Sequence, residues 1–299
     1  MAAIKNITLF GASGALGSVA LEKLLASGKF NVRVLKRAGS SSTYAPGAEV
    51  VEADLSSLES MTAALQGQDA IVSTAGYGGI LGQIPMADAA IAAGVSRFIP
   101  SNFGADLTNA NDRQLPVFAD KAKVEDHLME KSKTTDLTYT FVYTGAFLDW
   151  GLKNGYLLDV SKYQPITYDG GDQQWSATTT SSIGDAIVGV LSKPAETKNR
   201  VIRVSDVTLS HNQLVGLAKG IAPSKPWNPI NLDLDTLVAK AFERLSQGIF
   251  DMESIGPLLT RSIVDPRYGG NFTKVDNELL GLKGKTETDV VKMLKSVIN

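Results

Sequence analysis

Residues 4–10, Ile4-Lys5-Asn6-Ile7-Thr8-Leu9-Phe10, run straight into Gly11-Ala12-Ser13-Gly14-Ala15-Leu16-Gly17, and this junction decides the architecture. The first run is β-branched and apolar and reads as a buried strand. The second places a glycine at every third residue before a helical stretch, Ala15 to Ser27, that stops at Gly28; a further strand begins at Asn31. Strand, glycine turn, helix and strand in that order form a βαβ unit, with the helix amides aimed at whatever sits on its N-terminus. A pyrophosphate suits that place. The turn needs a glycine for its tightness, one for close backbone approach to phosphate and one for close packing of helix on strand. The spacing is GxxGxxG rather than GxGxxG, and the chain contains 28 glycines, so the flanking elements carry the specificity. Contacts to a dinucleotide are expected from Gly11, Ser13, Gly14, Ala15, Leu16 and Gly17.

Outward from this unit the same rhythm continues. Strands are predicted at Ile4–Phe10, Asn31–Leu35, Glu49–Ala53, Ala70–Ser73, Arg97–Pro100 and Tyr139–Tyr143, with helices at Leu58–Leu65 and Met86–Ala93 ending at Gly67 and Gly94. Such alternation implies an α/β fold, a Rossmann-type doubly wound parallel sheet covered by helices on both faces. Past Tyr143 the pattern loosens. A helix near Ile183–Leu191, a strand at Arg200–Val204, a Ser210-capped helix near Asn212 and amphipathic helices near Leu234–Leu245 and Glu287–Val297 are expected. The predicted division is a nucleotide domain over 1–145, with a later contribution from about 176–205, and a smaller, partly discontinuous substrate lobe from 146–175 and 206–299.

The second strand ends Leu35-Lys36-Arg37, where a site that prefers NAD offers an acid to the adenosine ribose. Arg37, supported by Lys36, suits a 2′-phosphate and points to NADP(H); the alternative is a pair of solvated loop charges. Because ligands collect at the carboxyl ends of parallel strands, Asp54-Leu55 is expected beside the adenine and Thr74-Ala75-Gly76 beside the ribose and nicotinamide. Asp54 as a helix cap and Gly76 as a plain turn are the structural alternatives.

Composition narrows the partners. With 29 basic and 31 acidic residues and a net charge of −2, the chain has no basic stripe suited to nucleic acid. The absence of cysteine removes disulfides and thiolate chemistry, and two histidines make a His-based metal site improbable. The uncharged run Ile7–Leu21 is broken by Glu22 and Lys23 too early for a membrane span of ~20 residues. No membrane association and a cytoplasmic location are expected, with monomer and homodimer both open.

Several motifs together resemble the NmrA-like, or isoflavone reductase-like, branch of the atypical short-chain dehydrogenases. They are GASGALG at 11–17, Arg37, Arg97-Phe98-Ile99-Pro100-Ser101-Asn102-Phe103-Gly104, Phe118-Ala119-Asp120-Lys121, and the closing stretch Asn277–Val297. The resemblance implies that Lys121 contacts the nicotinamide ribose and assists proton transfer, that Ser101, Asn102 and Phe103 adjoin the cofactor, and that Phe103 and Phe118 flank the nicotinamide or substrate. Ser101 and Asn102 are also expected to polarise the acceptor. Burial would lower the Lys121 pKa enough for that proton role; the structural alternative is an exposed i,i+4 pair with Glu125. Among the aromatic residues of the presumed cleft, Tyr143, Trp150, Trp175, Phe147 and Tyr168, the expected substrate contacts are Tyr143, Phe147 and Tyr168. His127 and His211 are expected to be surface or packing residues. The short-chain dehydrogenase tyrosine, four residues before the lysine, is Val117 here. The implied activity is NADPH-dependent reduction of a small aromatic or polyketide-like secondary metabolite. The alternatives are an NADP(H)-binding redox sensor acting on a protein partner and a redox-neutral enzyme in the same pocket.

Overall fold

The computed structural model describes residues 3–298. Strand β1 (Asn6–Phe10), helix α1 (Ala15–Ala26), β2 (Asn31–Arg37), β3 (Glu49–Ala53), α2 (Leu58–Leu65), β4 (Ala70–Ser73), α3 (Gln83–Ala92) and β5 (Arg97–Ile99) follow one another. After them come α4 (Ala110–Gln114), α5 (Ala119–Thr134) and β6 (Thr138–Tyr143). The chain continues with β7 (Ala146–Phe147), α6 (Leu148–Lys153), β8 (Ile166–Tyr168), β9 (Trp175–Thr178), α7 (Thr180–Ser192), β10 (Arg200–Arg203) and β11 (Val207–Leu209). It closes with α8 (His211–Ile221), β12 (Ile230–Leu232), α9 (Leu234–Ser246), α10 (Met252–Val264), α11 (Asn277–Leu280) and α12 (Glu287–Lys295).

Seven strands form one parallel sheet in the order β10-β6-β5-β4-β1-β2-β3, so the direction of strand succession reverses between β1 and β4. A crevice opens at such a reversal, outside the carboxyl ends of both strands. Ile71, Phe98 and Phe141 lie in the core on one face with α2, α3 and α5, whereas Leu9, Val72 and Val142 lie on the other with α1 and α7. Alternate residues of a strand face opposite sides, so a strand buried on both faces must be apolar throughout. Ala70, Ile71 and Val72 meet that requirement, and the polar Ser73 is buried with them at the strand's end. One core extends from the sheet into the C-terminal third, reaching Leu258 on α10 and Val290 on α12. Two small sheets, β11-β9-β7 and β12-β8, line the space between.

Two features escaped the sequence pattern. Arg97, the first residue of β5, is fully buried, with Nε and Nη1 donating to the hydroxyls of Thr138, Thr140 and Thr197. Helix α10 was not anticipated and contains Gly256-Pro257, a locally unfavourable pair; its Asp251–Ser254 capping box and packing on α9 hold it together. The stretch around α11 also packs on α7, and Asp276 binds Arg200 and the Arg203 amide, tying this late segment to the large sheet.

Helix α1 is held very close to the ends of β1 and β4. A Cβ on Gly17 would lie 2.0 Å from the Gly11 carbonyl oxygen and 2.7 Å from Thr74 Oγ1. Helix propensity alone favours Gly17→Ala by about 1 kcal/mol. The expected result is a loss of about 3 kcal/mol, because the clash is with backbone; urea denaturation giving a gain would contradict this packing.

Candidate functional site

The first and third glycines of the opening turn are required by the protein itself. Gly11 has φ +82°, and a side chain there would strike the Thr74 carbonyl. Gly14 differs: its φ of −75° and ψ of 172° suit any residue, and a Cβ would meet nothing closer than the Gly11 carbonyl oxygen at 3.4 Å. It is the N-cap of α1, yet no side chain caps that helix and no acid occupies its first turn. Bare first-turn amides beneath open space attract an anion, so these residues fit the expected pyrophosphate. Ser13, Gly14 and Ala15 are exposed there, while the Leu16 side chain and Gly17 are buried.

Arg37 is exposed at the end of β2 and has no ion-pair partner among the described residues. Lys36 does not support it. Strand alternation turns Lys36 to the other face, where it pairs at 2.8 Å with its register partner Glu52, whose carboxyl is held below its usual pKa by that contact. Asp54 Oδ1 accepts from the amide and hydroxyl of Ser56, at 2.9 and 2.6 Å, so its carboxyl also lies low. The α2 cap is Ser57 rather than Asp54. Leu55 packs partly buried against the core. Thr74 Oγ1 donates to Phe10 O, the Ala75 carbonyl receives Ser101 Oγ, and Gly76 opens a short 3-10 turn at the crevice.

Beyond the crevice lies an apolar cavity of about 390 Å³. It begins at Ala15 in the glycine turn and is walled on one side by Phe103, Phe118, Lys121, Phe147 and Trp150. The opposite wall comes from Tyr156, from Leu259, Ser262 and Ile263 on α10, and from Gly270 and Phe272 after it. Lys121 stands in the first turn of α5, with Nζ 3.9 Å from where Gly104 would carry a Cβ. The Gly104 carbonyl in turn accepts the amides of Thr144 and Gly145, each at 3.0 Å, fixing this turn to the end of β6. Burial pushes the Lys121 amine down to about 8, against the opposing pull of Glu125 one turn along.

Glu125, only 2% exposed, is not the outer half of a surface pair. Its carboxylate accepts from Tyr143 Oη at 2.6 Å, Arg113 Nη1 at 2.6 Å and Asn102 Nδ2. This corrects two expectations. Tyr143 is 0% exposed, with its hydroxyl committed to Glu125, and does not reach the cavity. Ser101 and Asn102 do not polarise an acceptor, because Ser101 Oγ donates to Ala75 O at 2.9 Å and the Asn102 amide to Glu125. Their phrase instead ties β5 to β4 and to α5. The buried pairing of Glu125 with Arg113 was missed because it spans 12 residues and leaves no periodic trace.

Tyr168 also fails to reach this cavity and lines a separate one, whereas Trp175 is fully buried beside His211. His211 packs against the Tyr168 and Trp175 rings at centroid distances of 5.3 and 5.5 Å, and burial pushes its imidazole down to about 4. It is a neutral packing residue. His127 binds Asp88 at 3.0 Å. No group of three or more metal-ligating side chains occurs among the described residues, and no described helix is long and apolar enough to cross a membrane.

Comparison with known proteins places this geometry in a family, since the family model described as NmrA-like matches residues 3–222. The chain belongs to the NmrA-like family. A curated relative, oxidoreductase aprR of Aspergillus flavus, is 33% identical over 305 aligned residues, covering 96% of this chain and 97% of the relative. Among solved structures, AtPrR2 with NADP+ and (+)pinoresinol is 18% identical, with a TM-score of 0.80 and 100% of both chains covered. The leucoanthocyanidin reductase–NADPH complex from Vitis vinifera is 21% identical, with a TM-score of 0.79 and coverage of 98% and 99%. At these identities the structures establish a shared fold. Helices α9 and α10 lie beyond the NmrA-like match, so the outer cavity wall is the part of this family member least described by the family pattern.

Lysine titration tests the electrostatics directly. With reductively ¹³C-methylated protein, the Lys121 resonance is expected to titrate near pH 8, apart from the ordinary lysines. Glu125→Gln removes the charge that raises it, so the midpoint should fall further, while stability drops by roughly 3 kcal/mol as Arg113 loses its ion-pair partner and one of the two acceptor oxygens becomes a donor. A Lys121 midpoint above 10 would refute the desolvated amine.

Proposed function

We propose that this chain is an NADPH-dependent reductase of a small, neutral aromatic or polyketide-like metabolite, acting at a C=C, C=N, C=O or benzylic ether carbon. The observation that carries this reading is the partly buried Lys121 amine on the wall of an apolar cavity that begins at the glycine turn. Amides of Gly11 to Gly17 would hold the diphosphate, Arg37 the 2′-phosphate, and the Thr74–Gly76 and Ser101–Phe103 backbone the edge of the nicotinamide half. Names of relatives support the class: aprR is called an oxidoreductase, and the solved neighbours include complexes with NADP+ and NADPH. Residues 146–175 and 206–299 serve as the substrate lobe, with 269–272 and α10 closing over the cavity.

The bound cofactor supplies the hydride. Phe103, Phe118, Phe147 and Trp150 orient a flat substrate and exclude water. Lys121, mostly protonated at neutral pH with a pKa of about 8, holds the proton at Nζ and gives it up more readily than an ordinary lysine. Val117 is buried and leaves no phenol at the position before the lysine. That substitution favours a second reading, redox sensing, which requires unequal affinity for NADP+ and NADPH.

Kinetics test the reductase reading and calorimetry the cofactor assignment. Lys121→Ala should lower kcat for NADPH oxidation by about 10²–10⁴-fold, the usual scale for a lost acid–base group. Wild-type kcat should fall as pH rises through about 8, because the ammonium is lost there. No NADPH oxidation across aromatic ketones, enones, imines and cyclic benzylic ethers would remove the reductase reading. Calorimetry of Arg37→Ala should show NADPH weakened about tenfold or more with NADH unchanged; an equal loss for both would contradict the 2′-phosphate assignment.

A further inference from the structure

Two cavities share Tyr156 as a lining residue. Its side chain lines the inner chamber beside Lys121 and also a second chamber of about 750 Å³ between α9 and α10. The Tyr156 hydroxyl lies 3.4 Å from Thr260 Oγ1 on α10. That one helix lines both spaces: Met252, Gly256 and Thr260, spaced four apart along one stripe, face the outer chamber, and Leu259, Ser262 and Ile263 face the inner.

The chambers differ in chemistry. The inner one is walled by aromatic rings and holds a single cation, Lys121. The outer one presents the Tyr168 and Thr260 hydroxyls, the Gln247 amide, and two cations, Lys240 and Arg244, against two anions, Glu243 and Glu253. Arg244 is already bound to Asp251 and Glu253. Balanced charge gives no net pull on an ion, whereas donors and acceptors side by side suit a neutral polar group.

We propose that the two chambers form one elongated site for a two-part ligand, with a flat apolar head beside Lys121, a neutral hydroxylated or amide arm in the outer chamber, and Tyr156 as the specificity-determining side chain at the neck. This rests on reading the inner chamber as the substrate site. Two arm hydrogen bonds are expected to give about a tenfold gain in affinity or more.

The test uses fluorescence titration of the full chain without dinucleotide, so that a lack of reductase turnover would leave the readout unaffected. Dansylamide reports the head alone, and the dansyl amide of glucosamine reports head plus neutral arm. In wild type the armed probe should bind about tenfold tighter or more. Gly256→Phe fills the outer chamber from a position where a Cβ meets only Met252 Cε, at 3.9 Å. It should abolish that advantage while dansylamide binding is unchanged; Tyr156→Trp, which narrows the neck, should shrink the ratio of armed-probe to dansylamide affinity. Circular dichroism and melting temperature check that both variants fold. The proposal is overturned if the arm adds no affinity in wild type, if the advantage survives in both folded variants, if Gly256→Phe weakens dansylamide equally, or if neither probe binds.

Discussion

The site depends on how closely the start of α1 approaches the ends of β1 and β4. Gly11 and Gly17 leave no room for side chains, and Thr74 binds the Phe10 carbonyl across the same gap. This closeness fixes the direction of the α1 axis relative to the sheet, and therefore where its uncapped amides point. Because the strand order reverses between β1 and β4, those amides face a crevice rather than a neighbouring helix. The anion site and the cavity that starts at Ala15 share this one placement.

A second constraint holds the amine. Lys121 is surrounded by aromatic carbon, which destabilises its charge, while buried Glu125 restores part of it from one turn away. Glu125 is itself kept in place by Tyr143, Arg113 and Asn102, three groups from three different segments. The phrase at residues 100–104 thus acts on the chemistry indirectly. Its polar side chains lock β4, β5 and α5 together, and its Phe103 and Gly104 shape the cavity and leave space for Nζ.

The cavity has two origins. Its inner half comes from the regular βα pattern, and its outer half from the segment after residue 222, where α10 and residues 269–272 approach from a different direction. Gly270 permits this approach, since a Cβ there would lie 2.1 Å from the Ile263 carbonyl. Asp112 braces the same wall by accepting the Gly269 amide at 2.7 Å, and burial pushes its carboxyl up to about 6.

The sheet, its six leading strands and the glycine turn were legible in the sequence because their signals are local: short β-branched apolar runs, helix stops at glycine, and a triplet joining strand to helix. Phe103, Phe118 and Lys121 were placed near that crevice by the family resemblance of the motifs that carry them, and Phe147 by its position after the sixth strand; all four line the cavity. Tyr143, Lys36, Ser101 and Asn102 were misplaced, since each side chain is claimed by a partner distant in sequence or across a strand register. Tyr156 and the whole of α10 were unread, the helix because Gly256-Pro257 speaks locally against it while a capping box and packing on α9 outweigh that cost, and Glu125 was read only as a surface partner of Lys121. The sequence alone determined the fold and the glycine turn at the sheet's crevice; tertiary structure decided which side chains reach the cavity, because burial and long-range hydrogen bonds assign each polar group its partner and no local period records them.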